Sequence, residues 1–236
     1  MTPRTASGTA AGSIDAGRRR LYARLAGSLF LLYIAASLAE SSMFGYAVGI
    51  GPASARLASL SEHAALVRLS VALAVASLLI ALVLAVALFA LTRHDDLELA
   101  VLALCARAAE AVIGAIYVLP PLAMLAVART AGALEGETLF ELLSSVREGA
   151  MTLSATCFAV GSAVFSYLFL RARSIPVFLA WLGLAASLVL VVALPVQLAL
   201  GAPAMTAWVL WVPMLVFEVA LGVWLLARGV NPPVPP

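Results

Sequence analysis

The chain has 236 residues, 64% of them hydrophobic and 11% charged, with a mean hydropathy of +1.10. A soluble domain is roughly 45–50% apolar and about 25% charged, so the soluble globular class is excluded and no stretch remains for a soluble catalytic domain. The net charge of +2, all of its cations arginine, with no basic stripe interleaved with aromatics, points away from a nucleic-acid partner.

Residues 1–20 are rich in Thr, Ala, Gly and Ser and end in Arg18, Arg19 and Arg20. So few large apolar groups predict a disordered basic tail. The first membrane span follows at 21–39. A charged stretch before an apolar run ending in Ser37-Leu38-Ala39 also resembles a cleaved secretory signal. Against that, the apolar character resumes at 43–50, and about 20 residues is long for a signal core. Residues 69–91 form the second span. Residues 97–127 form the third, with Pro120 and Pro121 expected to kink or break it near its outer end. The fourth, fifth and sixth spans are read at 150–170, 176–200 and 204–227, with Pro195 and Pro213 inside the last two. The Pro-rich segment 229–236 should be extended. The predicted fold is therefore all-α, a polytopic six-transmembrane-helix bundle over residues 21–228. Helices are required because unpaired backbone groups are too costly in lipid and barrel-type alternation is absent.

With the N-terminus in the cytoplasm, the inner segments carry Arg4, Arg18, Arg19, Arg20, Arg24, Arg93, Arg171, Arg173 and Arg228, and the outer ones Arg56, Arg68, Arg129 and Arg147. This asymmetry places both termini inside by the positive-inside rule. The expected location is the plasma membrane of a bacterium, with the lipid bilayer as the first partner and a homo-oligomer or another membrane protein as a further one. The longer outer loops are 51–67 and 128–149. The second holds a candidate amphipathic helix over 138–147, with Leu139, Leu142, Leu143 and Val146 on one side.

Several features together resemble a known family. An Arg-rich start runs into Leu25-Ala-Gly-Ser-Leu-Phe-Leu-Leu-Tyr33, and Glu40 sits late in the first span. Arg107-Ala-Ala-Glu110 lies in the third and Gly161-Ser162 in the fourth, followed by Tyr167-Leu-Phe-Leu-Arg171-Ala-Arg-Ser174-Ile-Pro176 across the next turn. Glu218-Val-Ala-Leu-Gly222-Val-Trp-Leu-Leu-Ala-Arg-Gly229 closes the series. In this order and spacing the chain resembles the bacterial six-helix integral membrane family catalogued as domain of unknown function four-three-eight-six. The resemblance implies six membrane helices and no assigned activity. Members of that family usually carry a serine between the two arginines after the fourth helix; here Ala172 stands there and Ser174 is displaced.

Ionisable residues at membrane depth are rare and normally face a bundle interior. Arg107 and Glu110, three residues apart, share one helix face with Gly114 and Tyr117. At 1.5 Å per residue, Arg107 and Glu218 each lie roughly 15 Å from the cytoplasmic end of their helices, and so can meet at one level. Glu40 lies nearer the outer surface, with Tyr33 and Ser37 on its face. The candidate site is thus a polar network of Arg107, Glu110, Glu218 and Glu40, in which three carboxylates share one arginine. A surplus acid has to take up a proton or meet water or a cation.

Three functions are consistent with such a network. The first is a small-molecule or ion transporter, or a receptor, with an interior cavity walled by the four side chains. The second is a structural or accessory subunit, closely packed, in which they are a clasp. The third is an intramembrane enzyme acting by acid chemistry without a metal. Catalytic motifs are scarce, and a non-enzyme is expected. His63 and His94 fall on opposite sides of the membrane, and no GxSxG or Walker loop occurs. Cys105 and Cys157 lack any ligand spacing, and Gly161, Ser162 and Ser166 suit close helix packing. Neither a metal nor a cofactor is expected.

Overall fold

The computed structural model describes residues 6–130, 132–200 and 208–231. Among them are seven helices and no strand: α1 (Ala6–Val48), α2 (Ala53–Glu62), α3 (Ala64–Thr92), α4 (Leu97–Thr130), α5 (Ala133–Ala172), α6 (Val177–Leu200) and α7 (Trp208–Ala227). All except α2 are long and apolar enough to cross a membrane. Their outward faces carry residues such as Leu79, Val83 and Val86 on α3, Val112, Ile116 and Leu119 on α4, and Val212 and Val216 on α7. So many large apolar side chains on one surface would not stay in water, and they place lipid around the bundle.

The six spans form a closed ring in chain order. Each packs on its sequence neighbours, α1 against α3 across the short α2, and α7 returns to α1 to close the circle. Closure depends on a close approach of two backbones. A Cβ on Gly27 of α1 would lie 2.6 Å from the Gly222 carbonyl oxygen of α7, so only glycine allows this contact. The main apolar core fills the ring with Phe30, Leu88, Phe158, Phe165, Phe169, Leu190, Met214, Phe217 and Leu221.

One face of the ring carries the α3–α4 turn, the α5–α6 turn and the segment after α7. Asn231 donates its backbone N–H to the Ser174 carbonyl (2.8 Å) and its side-chain amide to the Arg173 carbonyl (3.1 Å). These bonds hold Arg173 in the left-handed conformation (φ 49°) that ends α5. Arg171 reaches Asp96 at 2.9 Å. Asp96 also caps α4, accepting the Leu99 backbone N–H at 3.2 Å, and that bond together with Arg171 holds its carboxyl below the usual carboxylate range.

The opposite face is closed by α2, which packs across α4, α5 and the end of α1. Gly49 (φ 69°) and Gly51 (φ 138°) adopt conformations that L side chains avoid, so the chain can turn sharply out of α1 before Pro52 opens α2. Leu57 and Leu60 of α2 join Phe44, Ala47, Val48, Val67, Met124, Leu125 and Phe140 in a second apolar cluster.

Four expectations change. Residues 51–67 hold the helix α2 rather than a loop. The amphipathic stretch 138–147 is the first part of α5, continuous with the fourth span, because an apolar stripe on a helix already nucleated extends it at little cost. α4 runs unbroken through Pro120 and Pro121, both buried, as α6 and α7 do through Pro195 and Pro213. Packing on both sides of α4 offsets the lost backbone bonds. Finally, α1 begins at Ala6, inside the predicted disordered tail, since its Ala-rich composition continues a helix set by the span. Residues 232–236, expected to be extended, lie outside the described residues.

Candidate functional site

Arg107, Glu110, Glu218 and Glu40 are all buried, with 1%, 4%, 6% and 7% of their surface exposed. For side chains that are almost never buried unless paired, this makes their partners the question. They do not form one network but two centres on the ring axis.

The deeper centre is built on α4. Arg107 Nη1 lies 2.9 Å from Glu110 Oε2, and the Arg107 guanidinium sits over the Phe158 ring, 4.6 Å from its centroid. The contact is ionic rather than a directed hydrogen bond, because none of the Arg107 nitrogens is aligned to donate to a protein acceptor. Space for the arginine stem comes from α5: a Cβ on Gly161 would fall 2.8 Å from Arg107 Cγ. The glycine expected to serve helix packing thus makes room for the buried cation. Tyr33 of α1 donates its hydroxyl to Glu110 Oε1 at 3.3 Å, and Ser154 of α5 donates to the Glu110 carbonyl at 2.9 Å.

Glu218 of α7 completes this level, and its neighbours Phe217 and Leu221 line a cavity together with Arg107. It feels the charges of both Arg107 and Glu110. Yet among the described residues no arginine nitrogen comes within 4.0 Å of it, and its Oε1 is buried without a hydrogen-bond partner. With every group ionised, the centre holds two carboxylates and one guanidinium.

The second centre lies two helical turns towards the α2 face, and an arginine not expected there completes it. Arg147 Nη2 contacts Glu40 Oε1 at 2.9 Å and also the Tyr117 hydroxyl. Tyr117 donates to the same carboxylate at 2.9 Å. The Arg147 guanidinium sits over the Phe44 ring (3.9 Å to the centroid) and over the Tyr117 ring (4.1 Å). Glu40 therefore has its own cation. The idea that three carboxylates share Arg107 is corrected, and the surplus acid is specifically Glu218. Sequence reasoning missed Arg147 because it fell in an apparent loop. The signal that could have found it was the amphipathic period of 138–147 running on into the fourth span.

The two centres mirror one another. α1 supplies Tyr33 and, seven residues on, Glu40; α4 supplies Glu110 and, seven residues on, Tyr117. Each tyrosine of one helix bonds the glutamate of the other, so two crossed pairs bridge α1 and α4 about 10 Å apart along the helices.

Two cavities border these centres. The one beside Arg107, also lined by Phe30, Leu88, Ser162, Phe165 and Ser166, measures about 10 Å³, the size of one water. The one beside Arg147 measures about 50 Å³. Neither approaches the few hundred cubic ångströms of a small-molecule site. Of the four expected residues only Arg107 lines either cavity. No cluster of three or more His, Cys, Asp or Glu suited to a metal occurs among the described residues.

The model of the family described as Domain of unknown function (DUF4386) matches residues 25–229, from the first turns of the spanning part of α1 to the end of α7. The chain belongs to the DUF4386 family. The match takes in both ionic centres, so the crossed Glu–Tyr pairs and Glu218 lie within the DUF4386 domain. No curated protein and no solved structure matches the chain.

Proposed function

We propose that this DUF4386 protein is a transporter or receptor whose working group is the buried acid Glu218, which binds and releases a proton or a small cation. One observation carries the reading. Glu40 and Glu110 each have an arginine and a tyrosine, whereas Glu218 has neither among the described residues, although it is as deeply buried. An acid kept in the interior at several kcal/mol of desolvation cost, without a partner, is the usual mark of an ion or proton pathway. Its neighbours Phe217 and Leu221 line the one-water cavity beside Arg107, which supports the same reading. The orientation that goes with it puts both termini in the cytoplasm of a bacterial plasma membrane, on the nine-to-four arginine asymmetry of the segments. The same reading makes the chain a non-enzyme.

The test is flux in proteoliposomes loaded with a pH-sensitive dye, driven by an imposed potential. Wild-type protein should carry protons or a monovalent cation, and Glu218→Gln should lose that flux while keeping its fold. Absence of any flux in the wild type, or equal flux in the variant, overturns the reading.

A second reading has its own support. The small cavities and the Gly27–Gly222 contact suit a rigid structural or accessory subunit, assembled with itself or another membrane protein, in which the centres fix helix register. In that case Glu218→Gln changes thermal stability alone.

A further inference from the structure

The cavity on the α2 face is a different kind of place from the Glu218 centre. It lies between α1, α2, α4 and α5, and its lining includes two arginines, Arg56 and Arg147, with Ser144, Phe44 and Phe140. Both guanidiniums are stacked on aromatic rings. Arg56 sits over Phe140 at 4.7 Å, and Arg147 over Phe44 and over Tyr117. Stacking occupies the flat faces of a guanidinium and leaves its N–H edge free to meet an oxyanion side-on.

Those edges are incompletely used. Arg147 gives Nη2 to Glu40 and Tyr117, but its Nε is buried without a partner. Arg56 has no carboxylate within 4.0 Å among the described residues. Arg56 is half-buried without an ion-pair partner among the described residues, and Arg147, whose charge Glu40 balances, keeps a spare donor beside it. The one acid in the lining is Glu148, which is exposed.

We infer that Arg56 and Arg147, with the Ser144 hydroxyl, form a binding site for a small oxyanion, a carboxylate or phosphate group, between α2 and the end of the bundle. A volume of about 50 Å³ admits a head of a few heavy atoms and nothing larger. A paired arginine fork is the usual recognition element for such a head. The group can belong to a soluble anion or to the headgroup of an anionic lipid, because the face lies where the spans end. The site is independent of any flux through Glu218.

The experiment uses the full chain purified in a neutral detergent and in nanodiscs, with thermal unfolding as the readout. Inorganic phosphate or acetate, titrated at constant ionic strength, should raise Tm saturably. Arg56→Gln should weaken the apparent affinity at least tenfold, and Glu148→Gln should strengthen it. The exposed Arg129→Gln should leave it unchanged and serves as the control for generic salt effects. Stabilisation by phosphatidylglycerol over phosphatidylcholine nanodiscs, lost in Arg56→Gln and without a response to soluble anions, supports the same site with a lipid as its source. A Tm that responds to neither, or that responds equally in wild type and Arg56→Gln, overturns the inference. Should Arg56→Gln prove unstable, Ser144→Ala provides the second test, with a smaller weakening expected.

Discussion

Replacing Arg107 with leucine tests the deeper centre most directly. The ion contact to Glu110 is 2.9 Å long and the arginine only 1% exposed, so its removal leaves Glu110 and Glu218 buried with no cation beside them. Two unit charges about 4 Å apart attract by about 4 kcal/mol at an effective dielectric of 20. Breaking one side of a buried pair costs about 3–5 kcal/mol in practice. For a chain of this length that corresponds to a fall in Tm of roughly 6–20 °C. Arg107→Leu combined with Glu110→Leu removes both charges of the contact. Glu218 loses the attraction of Arg107 but also the repulsion of Glu110, which offset one another, and the long Tyr33 hydrogen bond, about 1 kcal/mol, is lost as well, so the double variant should stay within about 1.5 kcal/mol of wild type. The assay is reversible unfolding in mixed dodecylmaltoside–SDS micelles, read as a double-mutant cycle with an expected coupling of about 2–4 kcal/mol. A single variant that loses less than about 1 kcal/mol, or a double variant no more stable than the single, refutes the idea that Arg107 compensates a buried acid.

The other predictions concern neighbouring parts of the bundle. Gly161→Ala should destabilise by about 1–3 kcal/mol in the same unfolding assay, because its Cβ would fall 2.8 Å from Arg107 Cγ and 3.2 Å from the Ala103 carbonyl oxygen, and an unchanged midpoint would show the arginine stem can move aside. Tyr117→Phe removes one donor to Glu40 while Arg147 remains, so a loss of about 0.5–1.5 kcal/mol is expected, against about 3–5 kcal/mol for Arg147→Leu; the order of the two unfolding midpoints checks this. Asp96 has a folded-state pKa held below its ordinary value by the Leu99 N–H and Arg171. Its contribution is therefore present above the unfolded value of about 3.9 and disappears as pH falls through the lower folded value. Asp96→Asn should flatten that acid limb of the stability profile, and an identical profile would remove Asp96 as its source.

Much of this architecture is legible in the residue order because membrane spans announce themselves through long apolar runs. Arg107 and Glu110 are equally readable, since a spacing of three on one helix brings them together whatever the rest of the fold does. Their level with Glu218 follows from counting rise per residue. The Glu40–Arg147 contact is different. It joins residues 107 apart, and Glu148 and Gly149 give the stretch before the fourth span the look of a loop. The one local sign that α5 continues through them is the apolar period of 138–147 running on into the span. α2 is hidden for a related reason: ten residues with only Leu57 and Leu60 buried are too short and too polar to stand out. Its marker is the Gly-Pro turn at 51–52 followed by two leucines three apart.

The ring order explains why the two glutamates of α1 and α4 are treated alike while the third acid is not. α1 and α4 stand on either side of α3 rather than packing on each other, so only long side chains bridge them, and tyrosine to glutamate is the pair that reaches. Because the crossing occurs twice at the same seven-residue interval, a slip of α1 against α4 by one turn would break both pairs together and leave two carboxylates without their donors. That makes the relative register of α1 and α4 strongly fixed along the axis. Glu218 stands on α7, which touches α1 and α6 but contributes no such crossed pair. Adding or removing its charge therefore leaves the register intact. An acid that can change its charge without dismantling the bundle is suited to repeated exchange, whereas Glu40 and Glu110 are suited to holding the helices in place.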